Sequence, residues 1–221
     1  HLTAVQSHLP CYDLRISAEI INDELEKSML NAIKISGAIG VEWCVCHPRT
    51  AITDDYVSSK SMEYNKNAIS GYIDTAAKSS TKIAVENLPT FDGIRPVMPF
   101  YTSDYEDLCI LTDSFNSDLV KICWDTGHAN LMGFDQAKAI EAIGNRIVCT
   151  HIHNNWVSRD DHNPPDNGTI EWDKIASAFK KIQYRGPLTL ETHCRYENES
   201  LLKSFAKHNY ACLIYIEELM K

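Results

Sequence analysis

A parallel α/β barrel is predicted by three features of this 221-residue chain. Short β-favouring apolar runs alternate with segments of helical periodicity, and ionisable residues gather where the apolar runs end. Four of those ends, His8, His47, Glu86 and Asp125, follow one another at intervals of 39 residues. Such alternation calls for parallel strands joined by helices, and polar residues confined to C-terminal strand ends put the site on one face of a barrel. A doubly wound open sheet shares the alternation, but no glycine-rich phosphate turn follows any run. Six strands can be counted, where a closed (β/α)8 barrel has eight.

The first run, Leu2 to Ser7, ends at His8-Leu9-Pro10. From Ser17 to Ser36 the apolar positions Ile20, Ile21, Leu25, Met29, Leu30 and Ile33 recur at helical spacing, and Gly37 and Gly40 are expected to end that helix. Val41 to Cys46 is the second strand, stopping at His47-Pro48; Met62 to Ala77 is helical in pattern; Lys82 to Val85 runs into Glu86. A Pro- and Gly-rich loop from Pro89 to Thr102 carries Phe91, Arg95, Phe100 and Tyr101 and is read either as a lid over a substrate or as a packing loop. Ser103 and Glu106 form a capping-box pattern for the next helix.

Val120 to Trp124 then leads to Asp125-Thr126-Gly127-His128, where the glycine breaks the strand just as a carboxylate and an imidazole emerge. The same spacing also suits a helix-initiating Asp followed by a surface His. A helix from about Asp135 to Ile143 precedes the strand Arg146 to Thr150, which delivers His151-Ile152-His153-Asn154-Asn155. The polar loop through Asp160, Asp161 and His162 leads to a helix over Trp172 to Ile182. The last strand, Pro187 to Leu190, ends at Glu191, and Ser200 to Leu219 closes the chain as an amphipathic helix.

The chain is long enough for a single domain spanning 1–221. Thirty acidic against 21 basic residues give a net charge of −9, without a basic run, which disfavours a nucleic-acid partner. Eight cysteines, several inside apolar runs and with no Cys-x-x-Cys pair, read as free thiols in a reducing cytoplasm. Cys44 and Cys46 are explained by strand packing. No stretch approaches the ~20 apolar residues of a membrane span, and no signal peptide is visible. His1 in place of Met suggests a fragment of a longer protein.

Strand-end residues singly carry little weight, since a buried His is usually a hydrogen-bonded core residue. Six strands each ending in a potential ligand are different, because clustered carboxylates repel unless a cation lies between them. The motifs V-E-N-L-P at 85–89, W-D-T-G-H at 124–128, H-I-H-N-N at 151–155, D-D-H-N-P-P at 160–165 and P-L-T-L-E at 187–191 resemble the xylose isomerase-like TIM-barrel superfamily. That superfamily holds sugar and sugar-phosphate isomerases and epimerases of the D-tagatose 3-epimerase and inosose-dehydratase kinds, and also endonuclease IV.

The resemblance implies one divalent ion, manganese, magnesium, cobalt or zinc, held by Glu86, Asp125, His153 and Glu191, with His151 as the alternative imidazole because alternate strand residues face alike. It implies that His128 contacts substrate, and that His8, His47, Asp160 and His162 line the substrate pocket or hold additional metal. It also matches His8 to the third barrel strand, so that the first two βα units are missing. One departure is Asn154-Asn155, where many members carry a charged residue after the ligand His.

The implied chemistry is carbonyl migration or inversion beside a carbonyl on a sugar, sugar phosphate or polyol-derived ketone. A chelated ion stabilises the enediolate, while Glu86 and Glu191 remove and return the proton. The alternatives are an endonuclease IV-like zinc phosphoesterase with up to three zinc ions, and a catalytically silent binding protein on the same fold. The expected partner is a small sugar, without a membrane; a homo-oligomer is allowed.

Overall fold

The computed structural model describes residues 4–14, 16–20, 22–52, 58–89 and 100–221. Residues 90–99, and with them Phe91 and Arg95 of the expected lid, lie outside this set. Among the described residues, six strands and, one short helix apart, the helices between them follow the order expected from the sequence, and strand order along the sheet is sequential from β1 to β6. The described chain gathers into two compact units, one comprising residues up to 89 together with 100–123, the other residues 124–221.

In the first unit, β1 (Gln6–His8), β2 (Trp43–Cys46), β3 (Lys82–Glu86) and the opening residues of β4 (Val120–Asp125) pair in parallel. All four residues of β2 are buried, and Ile83, Ala84 and Val85 of β3 are fully enclosed. Continuous apolar runs of this kind belong to strands covered on both faces. Helix α1 (Asp23–Ala38) begins six residues later than its periodicity suggests, because Asn22 accepts the amides of Glu24 and Leu25 at 3.2 and 3.1 Å. It also runs through Gly37, and the chain turns instead at Gly40, with φ +80°.

Helix α2 (Ser58–Lys78) returns to β3, and α3 (Tyr105–Asp113) follows it. The cap of α3 is Asp104, one residue beyond the expected Ser103, its carboxylate accepting the Glu106 amide at 2.9 Å. A carboxylate serves the N-terminal dipole better than a hydroxyl. After β2, the backbone of the His47 loop is tied to α2 by Asn65, which accepts the Arg49 N–H at 2.7 Å and donates to the Arg49 carbonyl at 2.6 Å.

The second unit opens on Trp124 and Asp125, the end of β4. Then come α4 (Thr126–Leu131), α5 (Gln136–Ile143), β5 (Ile147–Ile152), α6 (Trp172–Lys181), β6 (Leu188–Leu190) and α7 (Glu199–Leu219). The sequence reading misses α4, six residues too short to show periodicity. Trp124 is fully buried and gives its indole N–H to Gln136 Oε1 at 3.1 Å, while the Gln136 amide binds the Thr126 carbonyl at 3.2 Å, fixing the turn that delivers Asp125. Strands β5 and β6 pair in parallel, and the Glu191 N–H extends the ladder to the Ile152 carbonyl at 3.1 Å.

All eight cysteines are free thiols, four of them buried. Among the described residues no helix is long and apolar enough to cross a membrane.

Removing the Asn65 tie tests how β2 positions its loop. Asn65→Ala leaves two buried backbone groups of Arg49 without their partner and is expected to cost about 1–3 kcal/mol, read as a lowered urea midpoint at unchanged slope.

Candidate metal centre

In the first unit, the ends of β1, β2 and β3 bring His8, His47 and Glu86 together. The Nε2 atoms of His8 and His47 each lie 3.2 Å from Glu86 Oε2, and the two rings meet edge to face at 4.7 Å. Glu86 is 1% exposed, and its carbonyl accepts the Thr102 hydroxyl at 3.0 Å. A carboxylate this enclosed needs positive charge or hydrogen-bond donors beside it.

Cys11, absent from the sequence reading, joins this group with Sγ 3.6 Å from His8 Nδ1. Hydrogen bonds from His47 and then His8 lower its thiol to about 6 against the opposing effect of burial. Burial pulls the His8 imidazolium down, but Cys11 and Glu86 outweigh it and raise the group to about 10. The only sequence signal for Cys11 was its position three residues past His8.

In the second unit, Asp125 is both a strand end and a helix initiator. It ends β4 and also caps α4, its Oδ1 accepting the His128 N–H at 2.6 Å, yet His128 is buried rather than at the surface. His151 and His153 both reach Asp125. His153 Nε2 straddles the carboxylate at 3.0 and 3.1 Å, whereas His151 Nδ1 lies 3.8 Å from Asp125 Oδ2 and 2.9 Å from Glu191 Oε2. The Glu191 oxygen approaches that nitrogen without hydrogen-bond alignment, as two donors do when they face a common cation. Asp125, His151 and Glu191 are thus a carboxylate, an imidazole and a second carboxylate, a set suited to a divalent ion.

His153 turns towards a second group. His128, His153, Asp160 and His162 each offer one donor atom, all within 4.8 Å of one another. Asp160 Oδ2 lies 3.3 Å from His128 Nε2 and 2.9 Å from His162 Nε2; its Oδ1, 3.9 Å from His153 Nε2, has no hydrogen-bond partner among the described residues. His162 Nδ1 donates to the Glu191 carbonyl at 2.9 Å, which fixes the tautomer and aims Nε2 inward. Its backbone is left-handed, φ +48°, an uncommon conformation for a non-glycine residue. Burial opposes the charge on Asp160, but His128 and His162 hold its carboxyl well below the usual range. Asp160 in turn overcomes burial to raise His162 to about 9.

Three further residues support this group. His193 stacks on His162 at 4.3 Å, a contact that spacing does not foretell. Asn154 and Asn155 are buried and spend their amides on the backbone: Asn154 Nδ2 on the Pro165 carbonyl at 2.7 Å, Asn155 Nδ2 on the Gly127 carbonyl at 2.8 Å. A neutral amide can both donate and accept there, which a charged side chain cannot. Asn154 also pairs with Asn163 by two backbone hydrogen bonds of 3.0 and 2.9 Å, closing the base of the loop that carries Asp160 and His162.

A parallel α/β chain with carboxylates and imidazoles at its strand ends defines a class of α/β barrel proteins, and comparison with known proteins specifies the family. Residues 3–209 match the family model described as the xylose isomerase-like TIM barrel, and the chain belongs to that family. An uncharacterized protein of Sinorhizobium fredii, y4fM, is 32% identical over 200 residues, covering 86% of this chain and 59% of that protein. The D-psicose 3-epimerase of Enterocloster bolteae is 26% identical over 117 residues, 53% of this chain and 35% of the enzyme. The chain therefore spans about three fifths or less of these curated relatives. Among solved structures, a D-tagatose 3-epimerase-like protein superposes with TM-score 0.78 at 22% identity over 99% of this chain and 80% of its own. The IOLI protein with a bound zinc atom gives TM-score 0.71 at 18% identity over 100% and 77%.

Two outcomes are expected of these groups. A Cβ at Gly127 would lie 1.8 Å from His153 Cε1, so Gly127→Ala should displace the ring, cost about 1–3 kcal/mol by overpacking and weaken zinc uptake about 10–100-fold, measured by competition with a chelating dye. His8 and His162, raised to about 10 and 9, stabilise the metal-free fold fully below their unfolded values, about 6.5, and lose that contribution as pH rises through their folded values. Asp160, depressed, contributes above about 3.8 and loses its share as pH falls through its folded value. The urea midpoint of metal-free protein should accordingly fall between about pH 7 and about pH 10, while metal uptake, which displaces these protons, strengthens over the same range.

Proposed function

We propose that this chain carries the site of a divalent-metal-dependent isomerase or epimerase acting on a sugar, a sugar phosphate or a related polyol-derived ketone. The observation that carries the reading is the Asp125–His151–Glu191 group, a strand-end set of two carboxylates and an imidazole converging within 3.8 Å contacts. Glu86 is the fourth donor, assigned from its motif. His151 replaces His153 in the set because it faces Glu191, whereas His153 is engaged with Asp125 and the Asp160 group. The names of relatives support the substrate class: a D-psicose 3-epimerase in sequence, and in structure an L-ribulose 3-epimerase with TM-score 0.76 at 15% identity over 98% of this chain and 75% of its own.

Bound there, a divalent ion would supply Lewis acidity and a template for two adjacent substrate oxygens. The residues do the rest. Glu191, with its side chain 39% exposed, is placed to take the proton from the carbon beside the carbonyl. Its backbone is held on both sides, by the Ile152 carbonyl and by the His162 imidazole. Glu86, buried and flanked by the imidazoles of His8 and His47, would take up a proton from one of them and return it to the substrate carbon, and His128 would orient a substrate hydroxyl. Separate acid and base groups permit inversion of the carbon centre.

The experiment is metal analysis of protein purified without chelator, followed by a panel of ketohexoses, ketopentoses and their phosphates in deuterated water. Deuterium should enter the carbon next to the carbonyl, and Glu191→Gln and Glu86→Gln should each slow that exchange about 10²–10⁴-fold. Metal-loaded protein that exchanges no proton on any of these substrates would refute the reading.

A second reading, a zinc phosphoesterase, is favoured by the separate His128–His153–Asp160–His162 and His8–Cys11–His47 groups. The net charge of −9 weighs against a DNA substrate. Three zinc ions per chain, with zinc-dependent cleavage of abasic-site DNA, would favour it over isomerisation.

A further inference from the structure

One cluster of ligand-type side chains lies apart from every residue assigned above. His208 and Cys212 sit four residues apart on α7 and so share one helix face, and Asp166 reaches them from the loop before α6. Both Asp166 oxygens are 2.9 Å from His208 Nε2, and Cys212 Sγ is 3.8 Å from that same nitrogen.

The shared nitrogen decides between two readings. A nucleophilic Cys-His-Asp relay uses both ring nitrogens, one for the thiol and the other for the carboxylate. Here carboxylate and thiol approach a single nitrogen, as ligands around one ion do. The three donor atoms lie within 4.8 Å of one another, close to the spacing imposed by metal–ligand bonds of about 2.0–2.3 Å. A surface pair of Asp166 and His208 alone would contribute little to stability and would not call for the thiol.

The mount for Asp166 is rigid. The preceding Pro165 carbonyl accepts both the Asn154 amide at 2.7 Å and the Trp172 indole N–H at 2.6 Å, and the Asn167 N–H closes a turn on Pro164 at 2.9 Å. A cleft of about 300 Å³, lined by Pro165, Trp172, Ala211 and Tyr215, opens beside the three donors. Fixed on one side by the loop and on the other by a 21-residue helix, the donors are preorganised.

We propose that Asp166, His208 and Cys212 form a second metal site, selective for zinc or a similarly thiophilic divalent ion, that clips the 163–169 loop to α7. A thiolate, an imidazole and a carboxylate together favour such ions over magnesium, calcium or manganese. Binding replaces the Cys212 S–H bond with a metal–sulfur bond and the His208 Nε2–H bond with a metal–nitrogen bond; the thiol proton goes to solvent, and the neutral ring keeps its one proton, now on Nδ1. Three protein donors leave a fourth position for water. The clip restrains the far end of the segment that presents Asp160 and His162.

The test is titration of the metal-stripped full chain with cobalt(II), a zinc surrogate whose bond to a thiolate gives a charge-transfer absorption. Because Cys11 also lies among imidazoles, the comparison is made in the Cys11→Ser background. That protein should show the band; Cys212→Ser should abolish it, and His208→Ala should weaken cobalt binding at least tenfold, with circular dichroism unchanged. Absence of the band in the Cys11→Ser protein, or its survival after Cys212→Ser, overturns the proposal. Independently of the variants' folding, zinc-soaked crystals of the unaltered chain should show an anomalous peak about 2.3 Å from Cys212 Sγ; zinc found elsewhere but not there overturns it as well.

Discussion

The second unit is organised around one buried carboxylate. Asp125 is fully enclosed, ends a strand, caps the helix that follows and receives an imidazole across both oxygens. The helix cap matters beyond α4 itself. An N-terminal amide donating to Oδ1 satisfies part of the desolvation cost of the carboxylate without consuming its charge. The group is therefore already rotated into place by its cap. Preorganisation of this kind is what a metal centre needs from its protein, since a ligand that had to be turned and desolvated on binding would weaken the affinity.

The first unit solves the same problem differently. Glu86 is buried, and its carboxylate is met by two imidazoles at 3.2 Å. Histidines in that position act as reserve cations. They carry protons when no metal is near and can give them up when one is. Cys11 extends the arrangement, since a thiol among imidazoles is drawn towards its thiolate.

Much of this was legible in the sequence, because strands covered on both faces must be apolar and so make their polar ends conspicuous. His8, His47, Glu86 and Asp125 declared themselves in that way, as did Glu191. What stayed hidden has physical causes. Helix α4 is too short for a period. His151 and His153 share a strand face, so their spacing alone does not say which of them faces Glu191. Asp104 displaced Ser103 as a cap through a difference of charge within one residue. His193, and the meeting of Asp166 with His208 across 42 positions, depend on how the chain returns on itself, which no local pattern encodes.

The Asn154–Asn163 pairing has a consequence for how such a chain can diversify. Two backbone hydrogen bonds pinch the loop at its base, and the buried amides of Asn154 and Asn155 tie that base to its surroundings. Beyond the pinch, Trp156 and Val157 project into solvent at 58% and 44% exposure. Length and composition can drift at such a tip while the neck keeps its shape. A lineage could reshape what enters the pocket from that edge, one insertion at a time, and leave the electrostatic machinery beneath it untouched.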